Sequence, residues 1–305
     1  MNARVVVVGD ALIDELRDES GIREFVGGAA LNVAVGLTRL GVPATLVAMV
    51  GDDEAGAHIR SYLRDYGVEL ISSPSPHGSS RAVSTRSPGG EPVYEFNVAA
   101  QARALDFGAD TRAALAEAGI VAVSCWPFDD IEQTRLLAEA LGSGSAALAI
   151  DPNPRAGMLK DRSAFVRGFE SLAAEAALVK VGEDDAQLLY DEPLDALRTR
   201  LVDLGVRAVL ATQGSAGATV EAGDVTVTRP ISDLPGRIVD TMGAGDAAFA
   251  TAVAALGDGG SQGEDAWGAV LERAMDVAAA TCRFEGALLR LPESLAEIDL
   301  DRIGT

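Results

Sequence analysis

A run of seven residues in the C-terminal third of the chain combines two glycines with acidic residues just before a helical segment. It reads Asp-Thr-Met-Gly-Ala-Gly-Asp from Asp240 to Asp246, and an alanine-rich segment without helix breakers follows it. This order predicts a glycine turn and then a helix, with Asp246 in its first turn. The first N–H groups of a helix lack partners within it, and the positive end of its dipole favours anions. We expect Gly243, Ala244 and Gly245 to cradle a phosphoryl group while Asp246 takes a proton from an attacking hydroxyl.

The short pattern Gly-x-Gly-Asp also has a simpler interpretation. In that interpretation Asp246 only stabilises the dipole of its helix, and the glycines only form a tight loop. A chance occurrence is much less frequent for the full seven-residue run than for the short pattern.

A second glycine motif lies near the N-terminus. It runs Gly-Gly-Ala-Ala-Leu-Asn from Gly27 to Asn32, and Gly41 and Gly51 follow it. Together the two motifs resemble the two signatures of the ribokinase-like (PfkB-type) carbohydrate kinases. The resemblance extends from Val5 to about Pro292, and the intervening segments are most similar to the bacterial fructokinase branch.

The resemblance implies a three-layer, doubly wound α/β fold with a mostly parallel sheet and a small inserted β lid. We expect one domain over residues 1–305, with lid segments at about 15–27 and 80–100. Within the second lid segment, the runs Arg81–Arg86 and Pro92–Val98 flank Ser-Pro-Gly-Gly-Glu, which predicts a hairpin. The resemblance also implies that such lids cover the sugar and often form a dimer contact, so a homodimer through the lid is expected.

For the sugar, the resemblance implies a clamp of polar side chains and glycines near the N-terminal motif. A carboxylate accepts hydrogen bonds from two neighbouring hydroxyls at once, which suits this role. Two candidates have open alternatives. Phe96 either contacts the substrate or forms a plain hydrophobic face of the lid. Arg155 either places its donors near the transferring phosphate or pairs with surface acids in a proline-stiffened turn. The candidates for substrate binding are Asp14, Gly27, Gly28, Asn32, Phe96 and Arg155.

For ATP and its cations, the resemblance implies residues in the second half of the chain. The family's Asn-x-x-Glu motif is altered here, since Gly182 replaces the asparagine and Asp185 the glutamate. Asp185 is still expected to hold a water shell around Mg²⁺, unless the acids at 183 and 184 only cap the next helix. The nucleotide candidates are Lys180, Thr212, Gly214, Gly217 and Gly286, and Asp240 and Thr241 are the K⁺ candidates.

Strands and helices alternate along much of the chain. Arg4–Gly9 is a β-branched run typical of a strand buried on both faces. Between Asp110 and Val181 three helices alternate with three strands, the pattern of a parallel, doubly wound sheet. Val206–Thr212 predicts another buried strand, and Ala218–Thr228 predicts a hairpin that turns at Ala222-Gly223-Asp224.

Composition excludes several classes of function. The chain has 46 acidic and 25 basic residues and a net charge of −21, which argues against nucleic-acid or anionic-membrane partners. Its two cysteines, Cys125 and Cys282, are too few and too far apart for a disulfide framework or a zinc site. No long apolar signal region or membrane-spanning run is visible, so we expect a cytoplasmic protein.

These patterns predict an ATP-dependent kinase that phosphorylates a primary hydroxyl of a small carbohydrate. Fructose is the leading acceptor by resemblance, while ribose, 2-keto-3-deoxygluconate, another ketose and a nucleoside remain open. A different class also remains open, namely a non-catalytic sugar- or nucleotide-binding regulator that has kept the fold.

Overall fold

The computed structural model describes residues 4–19, 21–85, 93–142, 144–257 and 263–297. In chain order the strands are β1 (Val5–Gly9), β2 (Leu12–Asp18), β3 (Gly21–Gly27), β4 (Ala44–Met49), β5 (Glu69–Ser73), β6 (Ser80–Thr85), β7 (Val93–Phe96), β8 (Ile120–Ser124), β9 (Ala147–Asp151), β10 (Leu178–Gly182), β11 (Val209–Thr212), β12 (Ala218–Ala222) and β13 (Val225–Arg229). The helices are α1 (Ala29–Arg39), α2 (Glu54–Asp65), α3 (Val98–Gln101), α4 (Ala109–Glu117), α5 (Ile131–Leu141), α6 (Arg162–Ala173), α7 (Glu183–Tyr190), α8 (Leu194–Leu204), α9 (Ala244–Gly257) and α10 (Glu264–Thr281).

Nine strands form one large sheet in the order β13-β12-β11-β10-β9-β8-β1-β4-β5. The seven strands from β11 to β5 run parallel, and β12 and β13 form an antiparallel hairpin at one edge. Helices cover both faces, because β1 buries Val5 and Val7 in the core formed with α1, α2, α9 and α10, while Val6 and Val8 enter the core formed with α4–α8. The predicted three-layer, mostly parallel α/β fold is confirmed.

A second sheet of four strands, in the order β3-β2-β6-β7, stands apart from the large one. The central strand β2 pairs antiparallel with β3 and parallel with β6, and β7 pairs antiparallel with β6. The predicted turn of the β6–β7 hairpin, residues 86–92, lies outside the described residues.

The sequence analysis did not assign β2. Its sequence, Leu-Ile-Asp-Glu-Leu-Arg-Asp, carries charges on both faces and lacks a clear alternating pattern. The structure nevertheless pairs it along its whole length, and Asp14 lies opposite Phe25 on β3 and Ala82 on β6. Asp14 is therefore held in a strand and does not lie in the loop that follows β1.

The carboxyl ends of the parallel strands meet at one edge of the large sheet, where open α/β sheets bind ligands. Asp10 follows β1, Asp151 ends β9, Gly182 ends β10 and Thr212 ends β11. Within the described residues, no helix has the length and apolar character needed to cross a membrane.

Candidate active site

The start of α9 has backbone N–H groups without an acceptor inside the helix. Gly243 has a φ of +77°, and its carbonyl accepts the first intrahelical hydrogen bond, from the N–H of Ala247 at 2.8 Å. The N–H groups of Ala244, Gly245 and Asp246 therefore have no acceptor one turn back in the helix. The Ala244 N–H makes a long turn bond of 3.3 Å to the carbonyl of Thr241, so it is partly engaged. Ala244 and Gly245 are half-buried, so an anion can reach them.

Asp246 is buried in the first turn of α9, with 7% of its surface exposed. Its Oδ2 accepts a hydrogen bond of 2.8 Å from Nδ2 of Asn32, a residue 214 positions away. Burial raises the pKa of Asp246, while the Asn32 bond and the charges of Arg155 and Lys180 oppose that shift. The amide nitrogen of Asn32, predicted to contact sugar hydroxyls, is thus engaged with the candidate base.

Acidic side chains from both ends of the chain face each other here. Asp10 holds the start of α1, because its Oδ1 accepts the N–H of Ala30 at 3.0 Å. Burial raises the pKa of Asp14 to about 7, with Asp10, Asp246 and Asp240 adding to the rise and Arg155 opposing it. The two ends of the chain therefore meet at one cleft.

Glycines allow the close packing of these acids. A Cβ at Gly27 would lie 2.2 Å from Oδ2 of Asp14. Gly28 has a φ of +107°, and a Cβ there would lie 2.9 Å from the carbonyl oxygen of Asp10. The absence of a side chain at Gly27 and Gly28 therefore lets Asp14 and the backbone of Asp10 pack closely against them. This holds whether or not the two glycines also contact a sugar.

We expect Asp14→Asn to flatten part of the pH dependence of stability in the ligand-free protein. The folded pKa of about 7 exceeds the ordinary value of 3.8, so the folded state binds this proton more tightly. That stabilisation is fully present below pH about 4 and is lost as pH rises toward about 7. Between pH about 5 and about 7.5, urea unfolding should show a loss of about 2–3 kcal/mol from this group in the wild type.

The Asp14→Asn variant should lack that loss, whereas Asp52→Asn, at an exposed position, should follow the wild-type curve. Equal slopes for the wild type and Asp14→Asn would contradict the assigned environment of Asp14.

Two arginines line one side of the cleft. One pocket is bordered by Arg103 and Arg155, together with Asn153, and an adjoining pocket is bordered by Arg103 and Asp10. Within the described residues, neither arginine forms an ion pair with a carboxylate, and Arg103 contacts Sδ of Met158 at 2.7 Å. The charge of Arg155 acts on the cleft acids, because it opposes the rise in the pKa of Asp14 and of Asp246. Arg103 was not singled out from the sequence.

Phe96 packs on a small apolar cluster beside this cavity. The cluster consists of Ala29, Ala100, Cys125 and Met158, and Phe96 is partly buried against it. This packing matches the alternative interpretation, a hydrophobic face of the second sheet. The phenyl ring still borders the same region as Cys125 and Met158, which line the cavity of the two arginines.

Lys180 lies inside the site. Its Nζ is 3.2 Å from Oδ1 of Asp151, and both side chains are buried. A Cβ at Gly245 would lie 3.3 Å from this Nζ, so the ammonium sits directly against the start of α9.

Asp185 caps the helix that begins beside Lys180. Its Oδ2 accepts the N–H of Gly182 at 2.7 Å, and the residue is buried. The cap therefore comes from Asp185 itself and not from the acids at 183 and 184. One carboxylate oxygen of Asp185 is not used in this bond.

The predicted nucleotide loop is closed by its own hydrogen bonds. Gly217 donates to the carbonyl of Gly214 at 3.2 Å and accepts from Gln213 at 2.8 Å. Gly217 has a φ of +105°, and a Cβ there would lie 2.1 Å from the carbonyl oxygen of Arg229. Gly214 is exposed, and Oγ1 of Thr212 donates to the carbonyl of Val181 at 3.4 Å.

Asp240 ties two loops together. Its Oδ1 accepts the N–H of Met242 at 3.1 Å, and its Oδ2 accepts the N–H of Gly286 at 3.2 Å. Gly286 in turn lies against the ring of Phe25 on β3, and Arg23 of the same strand pairs with Glu285. The second sheet is thereby joined to the loop beside α9. No group of three or more His, Cys, Asp or Glu side chains in the described ranges has the geometry of a metal cage.

Comparison with known proteins places this geometry in a family. The model of the pfkB family carbohydrate kinases matches residues 2–293. A fructokinase of Rhizobium leguminosarum bv. trifolii is 28% identical over 83% of this chain and 79% of its own length. An ATP-dependent 6-phosphofructokinase of Thermoanaerobacterium thermosaccharolyticum is 26% identical over 95% of this chain and 91% of its own. The crystal structure of a Xylella fastidiosa fructokinase with bound ATP superposes with a TM-score of 0.81 at 18% identity, covering 99% of both chains.

Proposed function

The chain belongs to the pfkB family of carbohydrate kinases, a family of phosphotransferases, and from this premise we propose that it transfers the γ-phosphoryl group of ATP to a primary hydroxyl of a small carbohydrate. The observation that carries the proposal is the convergence of Asp246, the N–H groups at the start of α9 and the Asp14 carboxylate on one cleft. The Xylella fastidiosa fructokinase with bound ATP, which has the same fold, supports ATP as the donor.

In the proposed mechanism, Asp246 accepts the proton of the sugar hydroxyl as that oxygen attacks the γ-phosphorus. The bond between the γ-phosphorus and the β,γ-bridging oxygen breaks in the same step, and ADP leaves. The Asn32 amide holds the Asp246 carboxylate in place through the 2.8 Å hydrogen bond. The N–H groups of Gly245 and Ala244 bind the phosphoryl oxygens on which negative charge develops. The Ala244 N–H gives up its long hydrogen bond to the Thr241 carbonyl when it binds a phosphoryl oxygen. Gly243 forms the turn that orients both N–H groups.

Sugar hydroxyls are proposed to bind the Asp14 carboxylate, the backbone at Gly27 and Gly28, and Oδ1 of Asn32. Asp14 lies on β2, so in this proposal the second sheet supplies a sugar-binding carboxylate and acts as the lid of the cleft. The proposal also includes a homodimer through this sheet, whose strand β3 has Ile22 65% exposed.

At the nucleotide side, Thr212, Gly214, Gly217 and Gly286 are proposed to contact ATP. Lys180 belongs to the phosphoryl end of this site, since its ammonium lies beside Gly245. Phe96 and Arg155 are proposed to border the acceptor and the phosphoryl group, respectively.

The residues present fit a magnesium ion held mostly by ATP and water. Mg²⁺ in such sites keeps several waters and takes one or two protein carboxylates, so a cage of three is not required. Asp185 would supply the oxygen that its capping bond leaves free. The ion would neutralise charge on the ATP phosphates. For K⁺, oxygens of Asp240 and Thr241 would serve, although both Asp240 oxygens already accept backbone N–H groups.

Fructose is the proposed acceptor on the strength of the relatives. Curated fructokinases from Rhizobium leguminosarum and others match most of the chain at about the same identity. An ATP-dependent 6-phosphofructokinase, an enzyme named for a phosphorylated sugar, matches this chain at a similar sequence identity of 26%. Sequence identity therefore does not distinguish a neutral from a phosphorylated acceptor.

A second candidate is an acceptor with a carboxylate or phosphate group, such as 2-keto-3-deoxygluconate. It is favoured by Arg103 and Arg155, which line one cavity without carboxylate partners in the described part of the chain. Guanidinium groups bind carboxylate and phosphate with two parallel hydrogen bonds, and a neutral ketose would leave this capacity unused.

The test is a coupled ADP-release assay over fructose, ribose, 2-keto-3-deoxygluconate, fructose 6-phosphate and a nucleoside. Turnover of fructose above all others supports the first candidate, and turnover of an anionic sugar supports the second. Zero turnover on every acceptor would favour the non-catalytic regulator.

Arg103→Ala separates the two candidates further. If the acceptor is anionic, we expect its KM to rise at least ~10-fold, because one charged hydrogen bond is lost, with kcat changed less. If the acceptor is fructose, its KM should change less than about threefold. Arg167→Ala, at an exposed position on α6, is the control and should leave both constants unchanged. A 10-fold loss toward fructose itself would contradict this assignment of Arg103.

A further inference from the structure

A buried ion pair lies under the candidate anion site. Lys180 on β10 and Asp151 on β9 are neighbours at the carboxyl ends of adjacent parallel strands, with 9% and 0% of their side chains exposed. Burying two charges costs free energy that their attraction does not always repay, so replacing such a pair by apolar residues is often neutral or stabilising. The position of this pair therefore points to a role other than stability.

The ammonium of Lys180 occupies the space that a side chain at position 245 would take. A Cβ on Gly245 would lie 3.3 Å from Nζ and 3.6 Å from Cε of Lys180. The second glycine of the Gly-Ala-Gly turn thus makes room for a cation directly against the start of α9. The same cation is close enough to Asp246 to lower the pKa of its carboxyl.

Asp151 depends on Lys180 as its partner. Its Oδ1 accepts the ammonium, while its Oδ2 is buried and has no hydrogen-bond partner within the described residues. Ser124, beside it in register on β8, likewise has a buried hydroxyl without a partner there. Burial raises the pKa of Asp151, and Lys180 opposes that rise.

We propose that Lys180, held by Asp151, is a positioning residue for phosphoryl transfer: its ammonium places a positive charge against Gly245, the residue that precedes Asp246 in the first turn of α9. This inference rests on the proposed kinase activity. Lys180 is then assigned to phosphoryl transfer and not to nucleotide binding in general. Asp151, which was not a candidate from the sequence, is assigned the role of holding Lys180 in place.

Asp246 is surrounded mainly by like charges, so its protonation state depends on few cations. Without its two cationic neighbours, the carboxyl would be neutral over more of the pH range and unable to accept a proton. The carboxylates that face it are Asp10, Asp14 and Asp151, and the cations are Arg155 and Lys180.

The test compares Lys180→Met, Asp151→Asn and the double variant with the wild type, using the best acceptor of the sugar panel. For Lys180→Met we expect kcat to fall ~100-fold while the sugar KM stays within about threefold of the wild-type value. The reason is that the lost ammonium stabilises the transition state and not the bound sugar. The acidic limb of its pH–kcat/KM profile should move upward by about one pH unit. Lys160→Met removes the exposed lysine with the same change in net charge and should behave as the wild type.

The double variant separates chemistry from folding. Asp151→Asn together with Lys180→Met removes both charges, so its Tm should lie nearer the wild type than that of Lys180→Met, while kcat stays ~100-fold low. Recovery of kcat in the double variant, or an unmoved acidic limb in Lys180→Met, would overturn the inference. A wild type inert toward every acceptor would instead contradict the proposed function.

Discussion

Asp246→Asn is expected to lower kcat by about 10³–10⁴ while the sugar KM stays within a few-fold. The change removes the proton acceptor but keeps the size of the side chain and an oxygen for the Asn32 amide, 2.8 Å away in the wild type. The start of α9 should therefore keep its shape, and the cleft should still bind sugar. Steady-state kinetics and sugar binding by calorimetry measure the two effects separately.

A matched variant tests the simpler view of Asp246 as a helix-dipole acid. Asp110 also lies in the first turn of a helix, α4, but is exposed and borders neither pocket of the cleft. Asp110→Asn should cost a few tenths of a kcal/mol in stability and leave kcat unchanged. An Asp246→Asn enzyme as active as Asp110→Asn would end the assignment of the base.

Gly243→Ala is expected to lower kcat at least ~100-fold and to lower Tm. Position 243 has a φ of +77°, and a Cβ there would lie 2.6 Å from the carbonyl oxygen and 2.7 Å from Cα of Ala287. The backbone at Gly243 or at Ala287 must move, so the N–H groups of Ala244 and Gly245 no longer point at the transferring phosphoryl group. Misplacement by about 1 Å is enough to cost two orders of magnitude in rate.

Gly41→Ala separates the backbone effect from the contact. Gly41 has nearly the same φ, +82°, but a Cβ there would meet no atom within 4 Å. It should lose about 1 kcal/mol of stability and keep full activity. If Gly243→Ala were no slower than Gly41→Ala at a temperature where both are folded, the contact with Ala287 would not matter for the phosphoryl site.

Much of the fold follows from local pattern. The valines of β1 are buried on both faces, as a continuous β-branched run predicts, and the alternation from Asp110 to Val181 gives the helices and strands observed. The glycine turn before α9 and the acid in its first turn were also visible in the order of residue types. Family membership and the kinase class, predicted from the two motifs, are confirmed.

Contacts between residues that are far apart in the chain could not be predicted from the sequence. Strand β2 has no alternating pattern of its own, and its two neighbours in the second sheet decide that it is a strand. The bond between Asn32 and Asp246 spans 214 residues. Arg103 belongs to no recognisable motif. Its only distinguishing feature in the sequence is that it is an arginine between two alanines, just after the second lid segment.

The sequence by itself determined which residue types stand at the ends of strands and at the starts of helices, because local sterics and hydrogen bonding act over a few neighbours. Only the tertiary structure decided which of those ends share a cleft. Asp246 raises the pKa of both Asp14 and Asp151, and Lys180 lowers the pKa of both Asp151 and Asp246. These effects depend on distances and burial that a linear order of residues does not contain.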